Sequence, residues 1–302
     1  MTHIRFVAVC VLLVVASGCA VDSTTTTASR SVGAEATTTL PPPPPGTNPP
    51  GSTAAVEEVF DGDSFLAAVD GTTFEVRLIG INAPERDECH GDASRTQLED
   101  LLRSSAVVLE AAGDDTDQFG RLLRYVWVDG IEINARMLIA GGAIGLQSGH
   151  GRQDDYQSLT QEAARQRRGM WAVDACGPGR ILPIDIRPIE YNPAGADAEN
   201  TIAEWVEIAN LGSEPIDMTG WTLRDESSTH RYVFGDLQLP PDAVVRVRSG
   251  CGEDRGFDLV WCASDPVWNN AGDTALLQDA AGNIVAYRTY EDGFPTARFL
   301  DE

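Results

Sequence analysis

Apolar and polar residues alternate between Val56 and Ala111 in a pattern that predicts β-strands. Turn signals at Asp61-Gly62-Asp63 and Asp70-Gly71 divide this region, because glycine lets the chain reverse direction at little steric cost. Phe65–Val69 and Phe74–Ile81 are therefore the predicted strands of a hairpin. Further strands are predicted at Ala106–Leu109 and Leu122–Val128.

Three helices are predicted in the same half of the chain. Ala93–Leu102 has apolar residues on one face, and Asn134 is placed to cap a second helix that continues to Ile139. Gln153–Arg168 predicts the third helix, after which Met170-Trp171 would pack back onto the body. Five short strands with helices near the middle and the end indicate a small barrel of the OB type.

After Arg180 the pattern changes to short strands separated by Gly, Pro, Asn and Asp, which is typical of an all-β sandwich. The predicted fold is therefore mainly β with helices, in two domains that meet near residue 180. The predicted strands are Ile181–Ile189, Trp205–Asn210, Trp221–Arg224, Tyr232–Phe234, Val244–Arg248, Ala275–Gln278 and Ile284–Tyr287.

The first residues predict export. An apolar run from Phe6 to Val15 is too short to span a bilayer and has the length of a secretory signal core. It ends in Ala16-Ser17-Gly18-Cys19, which resembles the lipobox of bacterial lipoproteins, and this resemblance implies lipidation of Cys19. We therefore expect an extracytoplasmic protein anchored to the membrane. The alternative is an ordinary signal peptide that is cut nearby, which would give a secreted protein.

The predicted segments follow from these patterns. Residues 1–19 are the signal, and residues 20–53, rich in Thr and Pro, are a disordered tether. Residues 54–179 form the first domain and 180–292 the second, and residues 293–302 are a C-terminal tail.

The charge of the chain limits how it could bind nucleic acid. The formal charge is −24, and all 22 basic residues are arginine. An acidic protein repels a polyanion at long range, so any phosphate chemistry must depend on a few arginines at one place.

Four cysteines remain after the signal region: Cys89, Cys176, Cys251 and Cys262. Three pairings are possible. The order of the cysteines along the chain favours one bridge in each domain, Cys89–Cys176 and Cys251–Cys262. Metal ligation is the alternative, although no CxxC motif supports it. His90 and His150 also lack partners at zinc-ligand spacing, and we interpret them as solvated loop residues.

Polar residues with the chemistry of a phosphodiesterase flank the first hairpin. Asp63, the Asn82 side chain and the Ala83 carbonyl could supply oxygen ligands for a hard cation such as calcium. Arg77 and Arg121 could clamp a phosphate, and Glu85 could deprotonate an attacking water. Each feature alone is weak evidence, since DGD is most often a turn and strand arginines usually pair with acids.

The order and spacing of these motifs are more specific. "FDGDSF", "VRLIGINAPE" and "DQFGRLLRYVWVDGIEIN" together resemble the staphylococcal nuclease family, over about residues 54–175. The resemblance implies an OB-type barrel and a calcium-dependent enzyme that cuts DNA or RNA to 3′-phosphate ends. It implies calcium ligands at Asp63, Asn82 and the Ala83 carbonyl, and catalytic roles for Arg77, Glu85 and Arg121.

Two positions depart from the family pattern. Asn82 stands where well-known members have aspartate, which should weaken calcium binding by removing one negative charge. Phe119 stands where a tyrosine precedes the second arginine, so a hydroxyl is lost while ring stacking on a base is kept.

The second domain resembles the lamin-tail family. The segments that show the resemblance are "EWVEIANLGSEPIDMTGWTLRDE", "YVFGDLQLPPDAVVRVRSG" and "WNNAGDTALLQDAAGNIVAYRTY", over about residues 182–290. This resemblance implies an immunoglobulin-like sandwich that serves as a targeting or interaction module for an unknown partner.

The predicted function is thus a membrane-tethered, calcium-dependent nuclease with a sandwich module for positioning. The rival hypothesis is a surface binding protein that grips nucleic acid or protein without cutting. The oligomeric state and the choice between DNA and RNA do not follow from the sequence.

Overall fold

The computed structural model describes residues 51–103, 106–147, 149–192, 204–227 and 229–291, together with the backbone of residues 294–296. The predicted signal, Cys19, the tether as far as residue 50 and most of the C-terminal tail lie outside the described residues. In the part of the chain that is described, no helix has the length and apolar character needed to cross a bilayer.

The first domain is a closed five-stranded barrel, as predicted. The strands are β1 (Ser52–Val59), β2 (Ser64–Val69), β3 (Thr72–Leu78), β4 (Ile81–Asn82), β5 (Val107–Thr116), β6 (Leu122–Val128), β7 (Ile131–Glu132) and β8 (Ile144–Gly145). The sheet order is β3-β2-β1-β5-β6-β7, and a parallel pairing of β3 with β6 closes the barrel. A short ladder, β4–β8, lies beside it.

The helices of this domain are α1 (Gly91–Leu102), α2 (Ile133–Ile139) and α3 (Gln153–Arg165), followed by a 3-10 helix at Gly169–Trp171. Leu98 and Leu102 of α1 are buried in the barrel core together with Val76 and Leu78 of β3. Since side chains alternate along a strand, Arg77 is on the opposite face of β3 from Val76 and Leu78.

The prediction that Asn134 caps α2 is wrong. The residue before the helix is Glu132, and no side chain caps it. Asn134 is instead fully buried, where its oxygen accepts the Val126 N–H and its amide nitrogen donates to the carbonyls of Ile79 and Arg124. These bonds give buried backbone groups a partner, although the Arg124 carbonyl also accepts the Ile79 N–H at 3.0 Å.

The predicted third helix ends earlier than expected, at Arg165. The glycine break at residue 169 follows, and Met170 and Trp171 are buried, as predicted. The two histidines are half-buried rather than solvated, and this burial lowers the pKa of both His90 and His150. The His150 ring packs 5.1 Å from the Tyr156 ring centroid.

The second domain is a β-sandwich, as predicted. Its strands are β9 (Ile184–Ile186), β10 (Trp205–Asn210), β11 (Ile216–Asp217), β12 (Thr222–Arg224), β13 (Arg231–Val233), β14 (Gln238–Leu239), β15 (Val244–Arg248), β16 (Asp258–Val260), β17 (Gly272–Gln278), β18 (Ile284–Glu291) and β19 (Phe294–Thr296). One sheet has the order β16-β15-β10-β9 and the other has the order β13-β12-β17-β18-β19, with a small β11–β14 ladder. The last strand lies where a tail was expected.

A third apolar cluster joins the two domains. Met170 and Trp171 of the first domain pack with Leu276, Ile284 and Tyr287 of the second. The Trp171 and Tyr287 ring centroids are 4.9 Å apart. Such shared burial packs one domain against the other.

Both predicted disulfides are confirmed, Cys89–Cys176 and Cys251–Cys262. The first bridge joins the loop before α1 to the end of the first domain. It lies next to the second domain, because Asn283 accepts the Cys176 N–H at 2.8 Å.

We predict that Asn134→Ala lowers the free energy of unfolding by about 2–3 kcal/mol, because it leaves buried backbone groups without partners. Urea denaturation with intact disulfides measures the change. Asn270→Ala, a substitution on a second-domain loop, is the control. A loss below about 0.5 kcal/mol for Asn134→Ala would show that other groups satisfy this backbone.

Candidate active site

The loop between β1 and β2 brings Asp63 to the site. Asp61 accepts the Asp63 N–H at 2.9 Å and the Ser64 hydroxyl at 2.7 Å, so its carboxylate orders the turn. A Cβ on Gly62 would lie 2.6 Å from the Ala83 Cβ. Only glycine therefore lets the Asp63 turn pack against the chain that follows β4.

Asp63 is the buried centre of this arrangement. Its Oδ2 accepts the Ala83 N–H at 2.6 Å and lies 3.1 Å from Arg77 Nη2. Burial raises the pKa of Asp63 to about 7, with a smaller rise from Asp61, while Arg77 and the Ala83 N–H act in the opposite direction. A cation bound to this carboxylate near neutral pH would therefore displace a proton.

Arg77 and Asn82 are linked directly. Arg77 donates through Nη2 to Asn82 Oδ1 at 3.0 Å and through Nη1 to the Leu78 carbonyl at 2.8 Å. The Asn82 amide nitrogen donates to the carbonyl of Glu226, in the second domain, at 3.0 Å. Asp63, Arg77, Asn82 and Ala83 thus form one hydrogen-bonded group.

Arg121 immediately precedes β6, the strand that pairs with β3. The barrel closure pairs Val76 with Leu122 and Arg77 with Leu123, so Arg121 lies just ahead of this pairing. Its Nη1 is 4.0 Å from Glu75 Oε1. The two predicted phosphate-binding arginines therefore lie on or next to the paired strands β3 and β6.

Asp117 holds Arg121, a role that the sequence did not reveal. It accepts Arg121 Nε at 2.7 Å and the backbone N–H groups of Phe119 and Arg121. Burial acts to raise the pKa of Asp117, but these bonds lower it overall. The Phe119 ring is 73 % exposed and 5.5 Å from the Arg121 guanidinium carbon, so it is available for stacking.

Glu85 lies three residues after Asn82 and is exposed. Its backbone N–H donates to Glu88 Oε2 at 3.3 Å, and its carbonyl accepts the Glu88 N–H at 2.9 Å. Glu85 and Glu88 also line a cavity of about 570 Å³ whose other wall includes Thr222 and Arg231 of the second domain. The second domain therefore flanks this loop.

A second cavity adjoins Asn82. It has a volume of about 590 Å³, and Asn82 and Leu146 of the first domain line it opposite Glu226, His230 and Asp273. Glu226 is buried and accepts the Gln147 N–H, and burial next to Asp273 raises its pKa well above the usual range. No local sequence pattern predicted that this domain would reach the site.

The donor set for a cation contains only oxygen: the Asp63 carboxylate, the Asn82 amide oxygen and the Ala83 carbonyl. Within the described ranges, no three or more His, Cys, Asp or Glu side chains form a group that could hold a metal ion. One carboxylate with neutral oxygens has the chemistry of a weak calcium site and not that of a zinc site. Arg77 Nη2 contacts both Asp63 Oδ2 and Asn82 Oδ1, so a cation would compete with this arginine for the two oxygens.

Comparison with known proteins agrees with this geometry. The family model of the staphylococcal nuclease homologue matches residues 75–173, and that of the lamin tail domain matches residues 182–292. The first match includes Arg77, Asn82, Glu85 and Arg121, whereas Asp63 precedes it.

Three relatives illustrate the similarity. Protein ParB of Escherichia coli is 33% identical over 128 residues, which cover 39% of this chain and 71% of that protein. The micrococcal nuclease of Shigella flexneri is 33% identical over 129 residues, 39% of this chain and 72% of the relative. The thermonuclease of Staphylococcus intermedius is 28% identical over 122 residues, 38% of this chain and 71% of the relative.

The barrel, the matched residues and these relatives support a hydrolase that cleaves nucleic acid. The chain belongs to the staphylococcal nuclease family and carries a lamin tail domain after its nuclease domain.

Proposed function

We propose that this protein is a calcium-dependent nuclease that hydrolyses DNA or RNA to products with 3′-phosphate ends. The observation that supports it best is the contact of Arg77 with the oxygen donors Asp63 and Asn82, on a strand that pairs with the one directly after Arg121. A non-catalytic binding protein would need exposed stacking surface such as Phe119 but would not need this combination.

Each residue has a chemical role in the proposed reaction. Glu85 accepts a proton from the attacking water, whose oxygen forms a bond to phosphorus while the bond to the 5′ oxygen breaks. The 5′ oxygen leaves as a hydroxyl after taking a proton from solvent. Arg77 and Arg121 donate to the phosphate oxygens and stabilise the charge that develops at five-coordinate phosphorus. Asp63, Asn82 and the Ala83 carbonyl would hold calcium, which supplies further charge stabilisation when it is bound.

We expect calcium to start cleavage of single-stranded DNA and EGTA to stop it. Glu85→Gln should lower kcat by about 10²-fold or more, because the base is lost while the shape of the side chain is kept. Glu162→Gln, on the exposed face of α3, is the matched control. DNA binding without cleavage by the wild-type chain would support the rival binding protein, and a Glu85→Gln variant that cuts at the wild-type rate would exclude the stated mechanism.

Asn82→Asp should tighten calcium binding about tenfold, because it adds the missing negative charge. The same change removes the amide donor to the Glu226 carbonyl, so the calcium-free protein should lose about 1 kcal/mol of stability. Calorimetric titration with calcium and thermal unfolding measure the two effects, and Asn82→Ala serves as control because it should weaken calcium binding. Unchanged calcium affinity in Asn82→Asp would mean that residue 82 is not a ligand.

We further propose that lipidation of Cys19 anchors the nuclease to the outside of a membrane and that the lamin tail domain contributes to its placement. Cys19→Ser should move the protein from the membrane fraction to the soluble fraction and abolish its labelling by a fatty-acid analogue. Cys10→Ser is the matched control. Membrane retention of Cys19→Ser would contradict the anchor.

A further inference from the structure

One hairpin of the lamin tail domain contacts both ends of the segment that carries Glu85. This hairpin consists of β12, β13 and the turn between them. At one end, the carbonyl of Glu226 in the turn accepts the Asn82 amide. At the other end, Arg231 of β13 donates to Glu88 Oε1, and Arg224 of β12 lies 3.7 Å from Glu88 Oε2.

Glu88 connects these arginines to Glu85. Its Oε2 accepts the Glu85 backbone N–H, and its own N–H donates to the Glu85 carbonyl. The chain is tightly folded here, since a Cβ on Gly91 would lie 1.9 Å from the Glu85 carbonyl oxygen. The position of Glu85 is therefore coupled to the position of Glu88.

Without Glu88, the like charges of Arg224 and Arg231 would destabilise the hairpin. Arg224 and Arg231 are directly opposite each other on β12 and β13, where like charges destabilise a hairpin. Arg224 is almost fully buried, and its Nε and Nη1 have no hydrogen-bond partner among the described residues. Because a buried cation needs a nearby anion, the Glu88 carboxylate offsets both charges, and the carboxylates of Asp225 and Glu85 make smaller contributions at Arg224.

Two further contacts fix the same loop. The Cys89–Cys176 bridge follows Glu88, and a Cβ on Gly282 of the second domain would lie 3.1 Å from the Cys89 Cβ. The apolar cluster around Trp171 and Tyr287 packs the two domains together. These contacts hold the hairpin next to the loop.

We propose that the β12–β13 hairpin of the lamin tail domain positions the catalytic loop of the nuclease domain, and that Arg231 and Arg224 are positioning residues that act on Glu85 through Glu88. The inference rests on the proposed function, because it assigns the second domain a part in the same active site. Without the hairpin, residues 82–88 lose their contacts at both ends, and Glu85 no longer keeps one orientation towards the attacking water.

The test compares Arg231→Ala with Arg231→Lys and with Arg246→Ala in the full chain. Arg246 is the matched control, since it pairs with Glu207 at 2.5 Å on the other sheet of the sandwich. The readouts are kcat and KM on single-stranded DNA with calcium, and hydrogen–deuterium exchange of peptides covering residues 82–91 without calcium.

We expect Arg231→Ala to lower kcat about tenfold, as misplacement of a catalytic group does, and to speed exchange of residues 82–91. KM should stay within about twofold, because the substrate does not contact Arg231. Arg231→Lys keeps the charge and should recover most of kcat, and Arg246→Ala should match wild type. In a Glu88→Gln background, Arg231→Ala should cost less than about twofold, since the link is already broken.

Wild-type kcat and wild-type loop exchange in Arg231→Ala would overturn the proposal. Faster exchange throughout the barrel, with equal loss in Arg246→Ala, would also overturn it, because Arg231 would then serve folding alone. A wild-type chain that does not cut DNA with calcium contradicts the proposed nuclease function instead. In that case the exchange of residues 82–91 still decides whether the hairpin orders the loop.

Discussion

The buried ion pair between Asp63 and Arg77 connects the elements from which the site is built. Asp63 comes from the β1–β2 turn and Arg77 from β3, and each binds the chain at the end of β4, Asp63 at Ala83 and Arg77 at Asn82. Asn82 extends the chain of contacts to Glu226 in the second domain. Removing either charge would leave the other one buried without its opposite charge, which costs several kcal/mol.

The structure gives a reason for asparagine at position 82 that the comparison with aspartate does not reveal. Its oxygen accepts from Arg77 and its nitrogen donates to a carbonyl, and only an amide of this size can do both. These two partners also fix which end of the amide is oxygen. An aspartate would strengthen the contact with Arg77 and lose the contact with Glu226. The residue thus joins the nuclease domain to the lamin tail domain at the expense of one charge in the proposed calcium site.

Local sequence patterns predicted the barrel and the sandwich, because strand alternation and turns depend on near neighbours. The order of the four cysteines predicted both disulfides, although Cys89 and Cys176 are 87 residues apart. They misjudged Asn134, which looks like a helix cap in sequence but serves three backbone groups of the barrel. They also missed Glu88 with Arg231, and Asn82 with Glu226, since these partners are 143 and 144 residues apart. Such contacts form only between two folded domains, and the hydrophobic periodicity of a single segment does not predict them.

In the proposed function an acidic protein acts on a polyanion, and the arginines that would bind its phosphates are held in place before the substrate arrives. The formal charge of −24 opposes long-range attraction, but Asp63 and Asp117 hold Arg77 and Arg121 in place. A guanidinium that is already oriented loses little side-chain entropy when it meets a phosphate. Asp117 accepts a hydrogen bond from Nε of Arg121, on one edge of the guanidinium. The terminal nitrogens of Arg121 can therefore donate to a phosphate. Binding energy is thereby concentrated at the bond to be cut.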